Sequence, residues 1–146
     1  MPGTNSFDSA ILATLFENAN LANVGDAAGI RGSATAGVFY VSLHTSSPGK
    51  AGDQTTNEAN YGAYARASVP RDVLNWSVSA GVVSNLLVIL FPQCTSGSSD
   101  VSYFGIGSDL AGAGHLFMYG ALTGTFSITP TVTPEFLAGT LTTSQD

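Results

Sequence analysis

Few residues in this chain could do chemistry, and their spacing does not gather them into an active site. A nucleophile–base–orienter triad needs a histidine or its equivalent beside an activated hydroxyl or thiol. The candidates are His44 and His115, and neither lies in a Gly-x-Ser-x-Gly turn. His44 closes a strand-like run and precedes Thr45-Ser46-Ser47, so it is read as bonding the following loop. His115 follows Gly112-Ala113-Gly114 and reads as a turn or surface residue. Cys94 has no cation near it in sequence to favour a thiolate and reads as a small buried hydrophobe.

Metal and nucleotide chemistry fare no better. One cysteine and two distant histidines have no zinc-ligand spacing, and Asp53, Glu58, Asp100 and Asp109 are too dispersed for a calcium loop. Gly105-Ile106-Gly107-Ser108-Asp109-Leu110 opens like a dinucleotide fingerprint, but Leu110 stands where the third glycine is required. Its context is strand–turn–strand, so these glycines are read as admitting a backbone or an aromatic ring. No catalytic residue, metal or cofactor is expected.

Arg66 is the charge of most interest. Set between Ala65 and Ala67 in a strand-like run, its guanidinium can grip a carboxylate or loop carbonyls bidentately. It is read as tying down the 45–60 loop through Asp53 or Glu58. The alternative is a salt bridge to a second subunit, which makes Arg66 a candidate interaction residue.

The elements that must position these residues are mostly strands. A helix is predicted from Asn5 to about Asn20, capped by Asn5 or Ser6. Phe7, Ile11, Leu12, Leu15 and Phe16 fall on one stripe that must pack on something. Phe7, Ile11, Leu15 and Phe16 are therefore candidate contact residues. From Val38 the period becomes two, with strands near 38–44, 63–70, 74–79, 82–91, 100–107, 115–122, 124–129 and 135–143. The run at 82–91 reads as a central strand covered on both sides. Pro48-Gly49, Ala80-Gly81, Gly112-Ala113-Gly114 and similar turn formers separate the strands. This pattern predicts a mainly β, jelly-roll-like antiparallel sandwich at 37–146, preceded by a helix and linker arm at 1–36.

Composition narrows the function further. At 146 residues the chain suits one domain with a real core. Only 10% of residues are charged, against roughly 25% in ordinary globular proteins. Such a bland surface suggests burial in an assembly. Net charge is −6 with four cations, so no basic patch exists to bind nucleic acid or an anionic membrane. No apolar run approaches the ~20 residues of a membrane helix, and the first residues do not read as a secretory leader. The lone cysteine excludes an internal disulfide.

The ordered set of short motifs carries a resemblance. Tyr40-Val-Ser-Leu-His-Thr45, Pro48-Gly49, Ala51-Gly52, Gln54-Thr55-Thr56, Glu58 and Tyr61…Tyr64-Ala65-Arg66 come first. Val83-Ser84-Asn85, Phe91-Pro92, Phe104-Gly-Ile-Gly107, Gly120-Ala-Leu122 and Pro134-Glu-Phe-Leu-Ala-Gly139 follow. Together they resemble a small virion protein family of tailed bacteriophages, often labelled tail-fibre-like and extending to capsid cement (decoration) proteins. The resemblance implies a jelly-roll-like fold and a non-enzymatic structural role. It implies a place on the capsid exterior, bridging capsomers, with the major capsid protein and further copies of the chain (a dimer or trimer) as partners. It also implies the alternative of a tail or tail-fibre component with a receptor-facing role. A carbohydrate-binding sandwich is the third reading. That reading requires Trp76, Tyr61 and Tyr64 on an exposed face, whereas core packing is favoured for Trp76.

Overall fold

The computed structural model describes residues 4–144. The first three residues of the expected arm and the last two of the expected sandwich lie outside that range. The elements are α1 (Asn5–Phe16), β1 (Val38–His44), β2 (Ala67–Pro70), β3 (Trp76–Ser79), β4 (Val82–Asn85), β5 (Ile89–Leu90), β6 (Ser99–Gly107), β7 (Leu116–Ile128), β8 (Glu135–Phe136) and β9 (Thr142–Ser144). The chain is mainly β, with antiparallel sheets and one short N-terminal helix, consistent with a β-sandwich. Its sheets run β2-β1-β6-β7, β3-β4-β9 and β5-β8. The chain forms two compact units, each assembled from separated segments.

One unit comprises Met1–Val38, Pro70–Val88 and Phe136–Asp146. Its helix is capped by Thr4, whose hydroxyl accepts from the Phe7 amide at 3.2 Å. The expected caps, Asn5 and Ser6, lie inside the helix instead. The helix stops at Phe16, short of Asn20, because Asn18 adopts a left-handed φ of 57°. No basic residue occupies the last turn. Arg71 supplies the missing positive charge from outside, donating to the Leu15 and Thr14 carbonyls at 2.6 and 2.7 Å.

The helix packs on β3 and β4, burying Leu12 and Phe16 completely. The Phe16 ring meets Trp76 edge-on at 5.0 Å, and the Trp76 indole N–H donates to the Pro70 carbonyl. Ser9 of the helix and Glu17 at its C-cap hold the hairpin as well: Glu17 accepts from the Val78 amide and Ser9 from the Gly81 amide. The hairpin turns through Ala80 and Gly81, both at positive φ, as a tight two-residue connection demands.

The run expected as one central strand at 82–91 is two short strands. After Asn85 the chain leaves the ladder, and Leu86, Leu87, Val88 and Leu90 are exposed. The physical reason is the Asn85 side chain, which is buried and donates to the Leu87 and Leu137 carbonyls at 2.8 and 2.9 Å while accepting from the Leu141 amide at 3.0 Å. Bonds that a neighbouring strand would supply are met by this amide, so the segment turns outward.

The other unit comprises Phe39–Val69 and Ile89–Glu135. In its four-stranded sheet, β1 pairs with β6 so that Tyr40 faces Gly107, Ser42 faces Gly105 and His44 faces Tyr103. Val41, Leu43, Phe104 and Ile106 therefore share one face, and all are buried. Ser42, His44, Gly105 and Gly107 share the other. The strands expected at 115–122 and 124–129 are the single strand β7. Its register slips between the Val101–Phe126 and Tyr103–Ala121 pairs, leaving residues 122–125 as a bulge. The strand expected to begin at 63 begins at Ala67, because Ala63 at φ 72° turns the chain beforehand.

Candidate functional site, a sealed polar clamp

The second face of the β1–β6 ladder carries the densest group of polar side chains. Gly105 and Gly107 make it possible. A Cβ on Gly105 would stand 2.7 Å from His44 Nε2 and from Ser42 Oγ, and one on Gly107 would stand 2.2 Å from the Gln54 side chain. The groups admitted are thus the His44, Ser42 and Gln54 side chains together with Leu116, in place of the backbone or aromatic ring expected from the sequence.

His44 is fully buried, with Nδ1 2.8 Å from the Thr56 carbonyl and Nε2 2.8 Å from the Ser42 hydroxyl. A carbonyl can only accept, so Nδ1 carries the proton and Nε2 accepts from Ser42. This is a serine–histidine pair with an orienting acceptor, the skeleton of a nucleophile and its base. Both side chains have 0% exposure, so no substrate can reach them. Burial also holds the His44 pKa below its ordinary value, against the opposing pull of the Thr56 bond and Glu58.

Arg66 lies beside this pair with every arm of its guanidinium engaged. Nε and Nη2 donate to the two Glu58 oxygens at 2.7 and 2.8 Å, while Nη1 and Nη2 donate to the Asp109 and Gly112 carbonyls. Of the two carboxylates the sequence offered, Glu58 is the partner. Asp53 instead caps its own turn, accepting from the Thr55 amide and hydroxyl. The Glu58 bonds raise the Arg66 pKa further above its ordinary value. Tyr64 donates its hydroxyl to Glu58 and accepts from the Leu43 amide, and burial raises its pKa strongly.

Gln54 completes the group. Its amide donates to the Asp109 carbonyl and accepts from the Asp109 amide, and its backbone N–H donates to Ala113. The 45–60 loop, the 61–66 turn and the 108–114 loop are thus fastened to one sheet. Among the described residues, every buried side-chain nitrogen or oxygen has a partner. Chemically the arrangement is a lock: its polar groups are consumed by one another.

The remaining sequence candidates fall elsewhere. Phe16 is spent on Trp76, Phe7 is exposed, and Ile11 and Leu15 are half-buried on the helix. Trp76 and Tyr61 are buried, so neither offers the exposed stacking platform of a sugar site. Tyr61 donates to the Pro92 carbonyl, and burial pushes its pKa up to about 12. Cys94 is free and buried, its thiol directed at the Ser96 carbonyl. Among the described residues no three His, Cys, Asp or Glu side chains are grouped to hold a metal, and no helix is long and apolar enough to cross a membrane. Sequence reasoning missed Gln54 and Asn85 as buried hubs. For Asn85 the available signal was an amide beside an apolar run; Gln54, in a polar loop, had none.

Comparison with protein families is decisive at a coarser level. The model of the family described as podophage GP4 fiber I protein gp80 matches residues 10–144. The chain belongs to that family. This fiber I family member is accordingly a bacteriophage structural protein, a component of the virion, as the motif resemblance implied. The match covers α1 from Ala10 and every strand, so both units fall within the family's pattern. No curated protein matches the chain.

Proposed function

We propose that this protein is a non-enzymatic assembly module of the phage tail, a fibre or fibre-base component that acts through shape and contact area. The observation that carries this reading is the family match, whose description names a fiber protein, over nearly the whole chain. The sealed clamp supports it, because the side chains best suited to chemistry are withdrawn from solvent. Partners in this reading are neighbouring virion proteins and further copies of the chain. Phe7, with Ile11 and Leu15 beside it, is the helix's contribution to the contacts with neighbouring virion proteins. Phe16 and Arg66, buried in the fold, act by keeping it rigid.

A second reading, capsid cement on the head exterior bound to the major capsid protein, is favoured by the motif resemblance to decoration proteins. A charge-poor surface suits it, since many weak equivalent contacts on a lattice sum to a stable shell. Location and copy number separate the two. Gold-labelled antibody and a cryo-EM map of intact particles should place a few copies at the tail. Hundreds of copies spread over the head would overturn the fibre reading in favour of cement, and particles without the protein would overturn both.

A further inference from the structure

The unit built on α1 and the β3-β4-β9 sheet carries an apolar surface that nothing in its own fold uses. Val73, Leu74, Leu86, Leu87, Val88 and Leu137 are each between 43% and 73% exposed. They are neighbours in space as well as in type. The Leu86 amide donates to the Asn75 carbonyl at 2.8 Å, bringing the 73–75 turn beside 86. Asn85 binds the carbonyls of both Leu87 and Leu137, bringing those two strips together. The Asn85 amide thus fixes two of the strips together, and the Leu86–Asn75 bond fixes the third beside them.

We propose that this patch is the face on which a second copy of the chain docks, across a two-fold axis. Three observations select that occupant. First, none of the six side chains is ionisable, and Asp72, which precedes Val73, is occupied by the Leu74 and Asn75 amides and the Asn75 side chain. A chain of net charge −6 repels its own copies, so an uncharged face is where two of them can meet. Second, the patch offers no charged feature by which a different partner would be steered and discriminated. An apolar face is its own complement, the condition for an isologous contact. Third, the area fits. The six side chains expose roughly 600 Å² together, at the upper limit for a lone monomer. Two such faces bury about 1,200 Å², the lower bound of a specific interface. The Asn85 bonds hold the backbone ready, which limits the ordering cost of association.

This inference does not depend on whether the protein sits at tail or head. Sedimentation equilibrium of the full-length protein tests it. The wild type should associate reversibly to twice the 14.9 kDa chain mass. The pair Leu74→Asp and Leu87→Asp should weaken association at least about a hundredfold, since the two-fold axis makes every substitution act twice in one interface. Unchanged circular dichroism and unchanged buried Trp76 fluorescence would establish that the variant is folded. A milder pair, Leu74→Thr with Leu137→Thr, should give the same direction without introducing charge. Phe7→Ser serves as a control on the helix and should leave the dimer intact. A wild type that stays monomeric into the high micromolar range overturns the proposal, as does a trimer. So does a dimer that survives both Leu pairs or dissociates on Phe7→Ser alone.

Discussion

Removing either member of the Arg66–Glu58 pair should be the most damaging single change to the sheet that carries the clamp. The two side chains are 3% and 15% exposed, so neither charge can recover its hydration in place. Leaving one buried charge unpaired costs about 3–5 kcal/mol. Arg66→Met should be the worse of the two, because the Gly112 carbonyl also loses its donor, at about 1 kcal/mol, and the Asp109 carbonyl keeps only Gln54. Glu58→Leu leaves the guanidinium its carbonyl partners but strands its charge and the Tyr64 hydroxyl. At this chain length such losses lower Tm by roughly 10–15 °C. The double variant should recover at least about 2 kcal/mol of the summed single costs, since a buried pair replaced by apolar side chains leaves no charge behind. Urea unfolding followed by far-UV circular dichroism supplies the four free energies. Hydrogen exchange should locate the loss, with the Thr45, Gln54 and Ala59 amides exchanging faster as the 45–60 loop lifts. Additive singles, each costing less than about 1 kcal/mol, would refute the reasoning.

Two further outcomes follow from buried groups. Asn85→Ala orphans the Leu87 carbonyl and the Leu141 amide, while the Leu137 carbonyl keeps Thr140, so it should destabilise by about 2 kcal/mol. Unfolding monitored by Trp76, its cross-strand neighbour, would register that loss, and an unchanged midpoint would remove Asn85 from its role as hub. His44 has a folded pKa below its ordinary 6.5, so the unfolded chain takes up the proton first as pH falls. Stability should therefore be full above that value and decline as pH drops through it towards the lowered folded value. His44→Gln should flatten this part of the profile, and an unchanged slope in that variant would assign the effect elsewhere.

Local pattern is most informative where one element decides its own conformation. Strand β1 occupies the expected range because its β-branched and aromatic run has strand length and its end is marked by Thr45-Ser46-Ser47. Arg66 is recognisable as a clamp because an arginine flanked by alanines in a strand must find a counter-charge nearby in sequence, and Glu58 is one of two on offer. Departures arise where a distant residue intervenes. At 82–91 the apolar run argues for a covered strand, but Asn85 draws in Leu137 and Leu141 from fifty residues away and turns Leu86–Val88 outward. The helix ends earlier than its apolar stripe suggests because Asn18 at positive φ and the reach of Arg71 are not periodic signals. Gly105 and Gly107 announce a close approach, but only the fold reveals that the visitors are His44, Ser42, Gln54 and Leu116.

The scarcity of charge acquires a physical sense once its uses are followed. Of four cations, Arg66 grips the clamp and Arg71 caps the helix, both inside their units. Arg31 and Lys50 are exposed, set against a surplus of carboxylates. A surface so poor in positive charge cannot draw in acidic partners or its own copies by long-range attraction, and salt, by screening the repulsion between copies, should favour their association. Adhesion must then come from apolar area, which is what the Leu74–Leu87–Leu137 face supplies. Rigidity and adhesion are linked through one residue. The amide of Asn85 that stabilises the β4 end also fixes the carbonyls behind the exposed leucines. Association measured in Asn85→Ala should consequently weaken along with stability, even though Asn85 itself never reaches the surface.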